Sequence, residues 1–216
     1  MRSVLITGGT VRLGAAIAER LRAEGWRVIT SSHRADAGAD IVADLAESTG
    51  AAKLYAATLQ MLDGMPPDAL VNNAALFTGE AAAIRAVNLE APKKLTMMMA
   101  GRETGVGAVV NVLDAKALES SRQQSTAADS YRSSKQALAE FTRSSAATFA
   151  ATLRVNGVAP GPVMAPTDVH EQAGEMLLDR RPTADDVAAA VSYLLGAEAT
   201  TGTIIPVDAG QNLLRA

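Results

Sequence analysis

The sequence predicts an α/β fold, a doubly wound parallel sheet of about seven strands in a single domain, and three observations carry that reading. Short runs rich in Val, Ile and Leu recur at 3–7, 27–31, 40–42, 69–71, 107–113, 153–158 and 203–207. Helical stretches at 13–24, 50–62, 80–100, 129–150 and 183–196 stand between most of them, with much alanine, the best helix former. Alternation of this kind points to parallel strands with both sheet faces covered. No linker, repeat or shift of composition divides residues 1–216.

One connection breaks the pattern. The runs at 27–31 and 40–42 leave too few residues for a helical crossover, which needs a dozen or more. The second helix is therefore expected to be missing and replaced by an extended loop.

The first run leads into Thr7-Gly8-Gly9-Thr10-Val11-Arg12-Leu13-Gly14, which opens the first helix. A glycine-rich turn between strand and helix is the Rossmann-type arrangement, in which backbone N–H groups and the helix N-terminus hold a pyrophosphate. Gly8, Thr10, Arg12, Leu13 and Gly14 are the cofactor-binding candidates there, although such a turn also serves as a plain tight connection. Arg12 stands where the usual fingerprint has a glycine.

The second strand normally ends in an acidic residue that binds the ribose hydroxyls of NAD. Here it ends Thr30-Ser31-Ser32-His33-Arg34, with no carboxylate. Arg34, joined by Arg12, can donate charge-assisted hydrogen bonds to a 2′-phosphate, and Ser32 and His33 add donors. The expected cofactor is NADPH rather than NADH.

Tyr131 and Lys135 lie four residues apart at the start of a helical run, so they share a face. A fixed ammonium favours the phenolate, each unit of pKa depression being worth about 1.36 kcal/mol. Tyr131 is thus a candidate general acid, though this spacing also arises on solvated helices.

Together these motifs resemble the short-chain dehydrogenase/reductases along essentially the whole chain. The matching residues are Thr7-Gly8 to Gly14, Asn72-Asn73-Ala74-Ala75, Val87-Asn88, Tyr131 to Lys135, Pro160-Gly161 and Gly202. The resemblance implies that Asp44 and Leu45 lie by the adenine and that Asn73, Ala74 and Ala75 line the cofactor. It also implies that Lys135 binds the nicotinamide ribose, that Pro160, Gly161 and Val163 flank the nicotinamide, and that Asn88 belongs to the proton relay.

The family usually has a serine three residues after the asparagine of its fifth strand, but Asn111-Val112-Leu113-Asp114 offers a carboxyl group. With Arg12, His33-Arg34 and the ending Val207 to Ala216, this looks like the pteridine reductases and bacterial dihydromonapterin reductase. That resemblance makes Arg12, Phe77 and Asp114 substrate-binding residues, with Phe77 stacking on a flat ring. Asp114 would anchor an amino-pterin edge as a carboxylate or donate a proton if its pKa were raised. Arg85 stands where those enzymes tend to have a second aromatic, and the 17-residue interval from Asp114 to Tyr131 is longer than is usual in the family.

The leading expectation is an NADPH-dependent reductase of a pterin or related C=N substrate, with Asp114, Tyr131, Lys135 and Asn88 catalytic. A carbonyl or 3-oxoacyl-type reductase and a non-catalytic NADP(H)-binding sensor or structural subunit are the alternatives. The irregular stretches 114–130 and 160–182 both follow strands, and the second is expected to form a substrate lid.

Composition narrows the partners. Twenty Lys and Arg against twenty-three Asp and Glu give a net charge of -3, which offers nucleic acid no basic stripe and anionic membranes no anchor. With no cysteine and only two histidines, His33 and His170, thiolate metal sites and cysteine nucleophiles are excluded and no metal is expected. The N-terminus carries no signal-like apolar core, so a cytoplasmic enzyme is expected, assembling as a homotetramer or homodimer through helices such as the Met97-Met98-Met99 stretch.

Overall fold

The computed structural model describes residues 1–103, 105–118, 127–163 and 176–215. Among them seven strands form one sheet: β1 (Ser3–Thr7), β2 (Arg27–Ser32), β3 (Ile41–Val42), β4 (Ala69–Asn72), β5 (Gly107–Val112), β6 (Leu153–Pro160) and β7 (Ile204–Val207). All neighbours pair in parallel, in the order β3-β2-β1-β4-β5-β6-β7. The order reverses between β1 and β4, and that switch point opens a crevice beyond the carboxyl ends of the strands.

The helices are α1 (Arg12–Ala23), α2 (Gly50–Met61), α3 (Ala81–Arg85), α4 (Ala91–Ala100), α5 (Ala127–Thr148) and α6 (Ala184–Gly196). Strand β1 shows why they cover both faces. All its residues are buried, and alternate side chains point in opposite directions. Val4 and Ile6 pack with Ile17 and Leu21 of α1 and Val187 and Val191 of α6, whereas Leu5 packs with Leu54 of α2 and Leu95 and Met99 of α4. Each such side chain contributes about 1.5–3 kcal/mol on burial, so both helical layers are held by the same strand.

Between β2 and β3 the chain makes only a 3-10 turn, Ala35–Ala37, ended by Gly38 at φ 65°. The second helix is missing, as its short interval predicts. A groove of about 400 Å³ follows, lined by Gly9, Thr10, Glu19, Arg22, Thr30 and Gly38.

The expected helix 80–100 is interrupted: α3 passes into a π turn, Ala86–Glu90, and then into α4. An apolar period of 3.6 residues does not reveal one widened turn, so sequence reads the three pieces as one. Such π bulges are frequent at functional sites, and this one carries Asn88. No helix among the described residues is long and apolar enough to cross a membrane.

Candidate active site

The glycine-rich turn is built by its neighbours. Gly8 takes φ 62°, and a Cβ on Gly14 would lie 2.0 Å from Gly8 O and 2.6 Å from Asn73 Nδ2, so α1 can start this close to β1 only with glycine there. Asn73 Nδ2 donates to Thr7 O at 3.0 Å and Gly8 O at 2.9 Å, and Thr7 Oγ1 accepts from Asn73 N and Ala74 N, both at 3.0 Å. The end of β4 thereby fastens the turn at the end of β1. Arg12 holds φ 51°, a left-handed conformation that an arginine adopts at a cost of about 1–3 kcal/mol and that marks functional turns. Thr10 and Leu13 complete the turn.

At the end of β2, Ser32 Oγ accepts from Arg34 N at 3.1 Å, which folds His33 and Arg34 outward. His33 and Arg34 are exposed, and Arg34 meets Asp36 at 3.3 Å with side chains 56% and 82% exposed. An exposed pair is worth at most about 1 kcal/mol, so the guanidinium is available to a stronger anion. The glycine-rich turn, with His33 and Arg34 exposed beside it, fits a nicotinamide dinucleotide.

On the other side of the switch point, Asp114 follows β5 and Tyr131 lies in the first turn-and-a-half of α5. The Tyr131 hydroxyl donates to Asp114 Oδ2 at 3.0 Å. Lys135 is 3% exposed; its Nζ donates to Val112 O at 2.7 Å and lies 5.9 Å from the centroid of the Tyr131 ring. Burial pulls its pKa down to about 8, against the opposing attraction of Asp114. Phe77 is 48% exposed, hence not a core residue, and its ring centroid lies 4.8 Å from that of Tyr131 at a 59° tilt. A phenol, a carboxyl group, an ammonium and an aromatic face meet here.

Asn88 is fully buried in the π turn. Its Oδ1 accepts from Leu76 N at 2.8 Å, while Nδ2 donates to Leu76 O at 2.9 Å and Ser134 Oγ at 3.1 Å. Ser134 Oγ in turn donates to Tyr131 O at 2.6 Å. The contacts close on themselves, from Tyr131 through Ser134, Asn88 and Leu76 to Phe77 and back to the Tyr131 ring. Below them lies a second buried chain, Asn72 Nδ2 to Asn111 Oδ1 at 2.8 Å and Asn111 Nδ2 to Thr142 Oγ1 at 2.9 Å.

Other expected residues take varied places. Leu45 is buried in the core with Leu54, and Asp44 Oδ1 accepts from Ala46 N at 2.8 Å in the turn before α2, whereas Ala75 is exposed at the crevice. Pro160 ends β6; Gly161 N donates to Val207 O at 2.9 Å, and a Cβ there would lie 2.7 Å from Asp208 Cβ. Val163 packs against the core of the α1 and α6 layer. Arg85 is tied to Glu90 at 2.9 Å. Of the expected lid and the interval before Tyr131, residues 119–126 and 164–175, including His170, lie outside the described residues. Among the described residues no group of acidic and histidine side chains could hold a metal ion. Sequence reasoning missed Ser134, Thr142 and the turn-holding role of Asn73, because bonds from a polar side chain to distant backbone leave no local pattern.

Comparison with known proteins decides the family, since the family described as short chain dehydrogenase matches residues 2–177. The chain belongs to the short-chain dehydrogenase/reductase family. This short-chain dehydrogenase/reductase is an oxidoreductase, and several of its relatives span it almost end to end. Protein FixR of Bradyrhizobium diazoefficiens is 29% identical over 97% of this chain and 86% of its own length. Pteridine reductase 1 of Leishmania tarentolae is 29% identical over 98% of this chain and 96% of its own. Among solved structures, FolM alternative dihydrofolate reductase 1 of Brucella canis, complexed with NADP, superposes with a TM-score of 0.84, at 31% identity and over 98% of this chain and 94% of that one.

Proposed function

We propose that the protein is an NADPH-dependent reductase of a pterin or a related small molecule with a C=N bond. The observation that carries this reading is the hydrogen bond from Tyr131 to Asp114 at 3.0 Å, with the half-exposed Phe77 ring set against Tyr131. A flat ring stacked on Phe77 would present its polar edge to Asp114, whose oxygens accept from amino and ring N–H groups. Likeness to a pteridine reductase and to an NADP-bound FolM enzyme supports both substrate class and cofactor.

Gly8, Thr10, Arg12, Leu13 and Gly14 would bind the pyrophosphate, and Ser32, His33 and Arg34 the 2′-phosphate. Asp44, Leu45, Asn73, Ala74 and Ala75 would border the adenosine end, and Lys135 with Pro160, Gly161 and Val163 the nicotinamide end. The reduced nicotinamide, when bound, supplies a hydride to the substrate carbon. The proton that balances it goes to the substrate nitrogen, from Asp114 or from Tyr131 through Asp114. Lys135, charged below its pKa of about 8, stabilises the phenolate left on Tyr131. Asn88, by holding Leu76 and Ser134, keeps Phe77 and Tyr131 in register. Self-association into a homotetramer or homodimer belongs to the same reading, with Met97 of α4 49% exposed, and sedimentation velocity tests it.

Purified protein should oxidise NADPH, followed by its absorbance, with dihydrobiopterin or dihydromonapterin as acceptor. Absence of pterin turnover across a broad pH range, alongside turnover of ketones, would replace this reading with that of a carbonyl reductase.

A further inference from the structure

The connection 33–40 carries the residues assigned above to the 2′-phosphate, and it has no helix to brace it. A carboxylate braces its far end instead. Asp40 Oδ2 accepts from Thr30 N at 2.8 Å and from Thr30 Oγ1 at 2.7 Å, while Asp40 N donates back to Thr30 Oγ1 at 3.3 Å. Thr30 is 3% exposed, so these bonds fix its rotamer in a closed space. Its methyl group then lies against the glycine-rich turn: a Cβ on Gly9 would stand 2.8 Å from Thr30 Cγ2. Gly9 N also donates to Ser31 O at 3.2 Å. The far end of the connection, the end of β2 and the glycine-rich turn are therefore one mechanical unit, joined through Asp40 and Thr30.

We propose that Asp40 is a positioning residue for cofactor selection, which through Thr30 holds the connection 33–40 against the glycine-rich turn and so aims His33 and Arg34 at the 2′-phosphate. The inference rests on the NADPH reading and adds to it a residue that touches no phosphate. Its sign is opposite to that of simple electrostatics. Asp40 is an anion near a site for an anion, so Coulomb repulsion alone makes its removal tighten NADPH. Loss of positioning weakens NADPH and leaves NADH nearly untouched.

The test is a fluorescence titration of the full chain with NADPH and NADH, together with melting temperatures, for wild type, Asp40→Ala, Asp40→Asn, Thr30→Val and Asp36→Asn. Asp40→Ala should lower the NADPH-over-NADH preference about fivefold, the scale on which residues without ligand contact modulate binding. Asp40→Asn keeps an oxygen that accepts from Thr30 and should retain the preference. Thr30→Val keeps the methyl contact but loses Oγ1, and should show a smaller loss of preference in a folded protein even if Asp40→Ala folds poorly. Asp36→Asn removes a charge from the same connection without touching Thr30, and should hold or raise the preference. An unchanged or raised preference in Asp40→Ala and Thr30→Val, whether or not their melting temperatures fall, overturns the inference, as does an equal loss in Asp40→Asn and Asp40→Ala. A wild type that does not prefer NADPH refutes the cofactor reading itself, which is seen before any variant is compared.

Discussion

The two ends of the crevice are built on different terms. At the proposed catalytic end Tyr131, Ser134, Asn88, Leu76 and Phe77 form a closed circuit around buried groups, and Lys135 is buried. At the proposed adenosine end His33 and Arg34 stand in solvent on a connection stripped of its helix, and Arg34 meets Asp36 in an exposed ion pair. Substitutions at the first end should act on chemistry and stability together. Those of the exposed His33 and Arg34 at the second should act on affinity alone, and more weakly at high salt.

The largest expected effect is that of Tyr131→Phe, which removes a proton donor and should lower kcat by about 10²–10⁴-fold while NADPH affinity, read by fluorescence, barely changes. Equal turnover would break the assignment of the catalytic end. Next is Lys135. Its folded pKa of about 8 lies below the unfolded value near 10.4, so the unfolded chain binds more protons between those values and stability rises with pH across that window. Lys135→Met should therefore melt no lower than wild type at pH 7, lose that advantage by about pH 10.4, and have little turnover. Wild-type turnover should fall as pH rises through about 8, where the ammonium is lost, in a pH–rate profile.

Asn88→Ala is expected to cost roughly 1–3 kcal/mol for each group it leaves unpaired, the Leu76 N–H and the Leu76 carbonyl, as read by urea denaturation. A loss of turnover without loss of stability would assign Asn88 to the chemistry rather than to the circuit. The smallest effect belongs to the other end. Arg34→Ala should weaken NADPH by about tenfold, with NADH unaffected, and the difference should shrink in salt. An equal loss for both cofactors would erase the contrast between the two ends.

The strands were legible because Val and Ile runs must be buried, and the missing helix because the eight residues 33–40 cannot hold a crossover, a matter of chain length alone. Tyr131, Lys135 and Asp114 were legible as spaced chemistry, and the structure brings them together. What sequence did not disclose was contact at long separation. Asn88 reaches Ser134 across 46 residues, Asn73 reaches Gly8 across 65, and neither bond has a local signature. Asp40 and Thr30, ten residues apart, read as ordinary loop and strand polarity until the fold joins them. The π turn escaped for a related reason, since a single extra residue in a turn leaves the apolar pattern of 80–100 nearly intact.

Arg12 at φ 51° has a consequence for how this sequence would drift under selection. Its backbone favours glycine, and the cofactor contact proposed for its side chain is a reason to refuse it. A population selected only for heat resistance would be drawn toward glycine at that position, and one selected for catalysis would be held back. Under the proposed function, position 12 is thus where stability and cofactor binding pull apart.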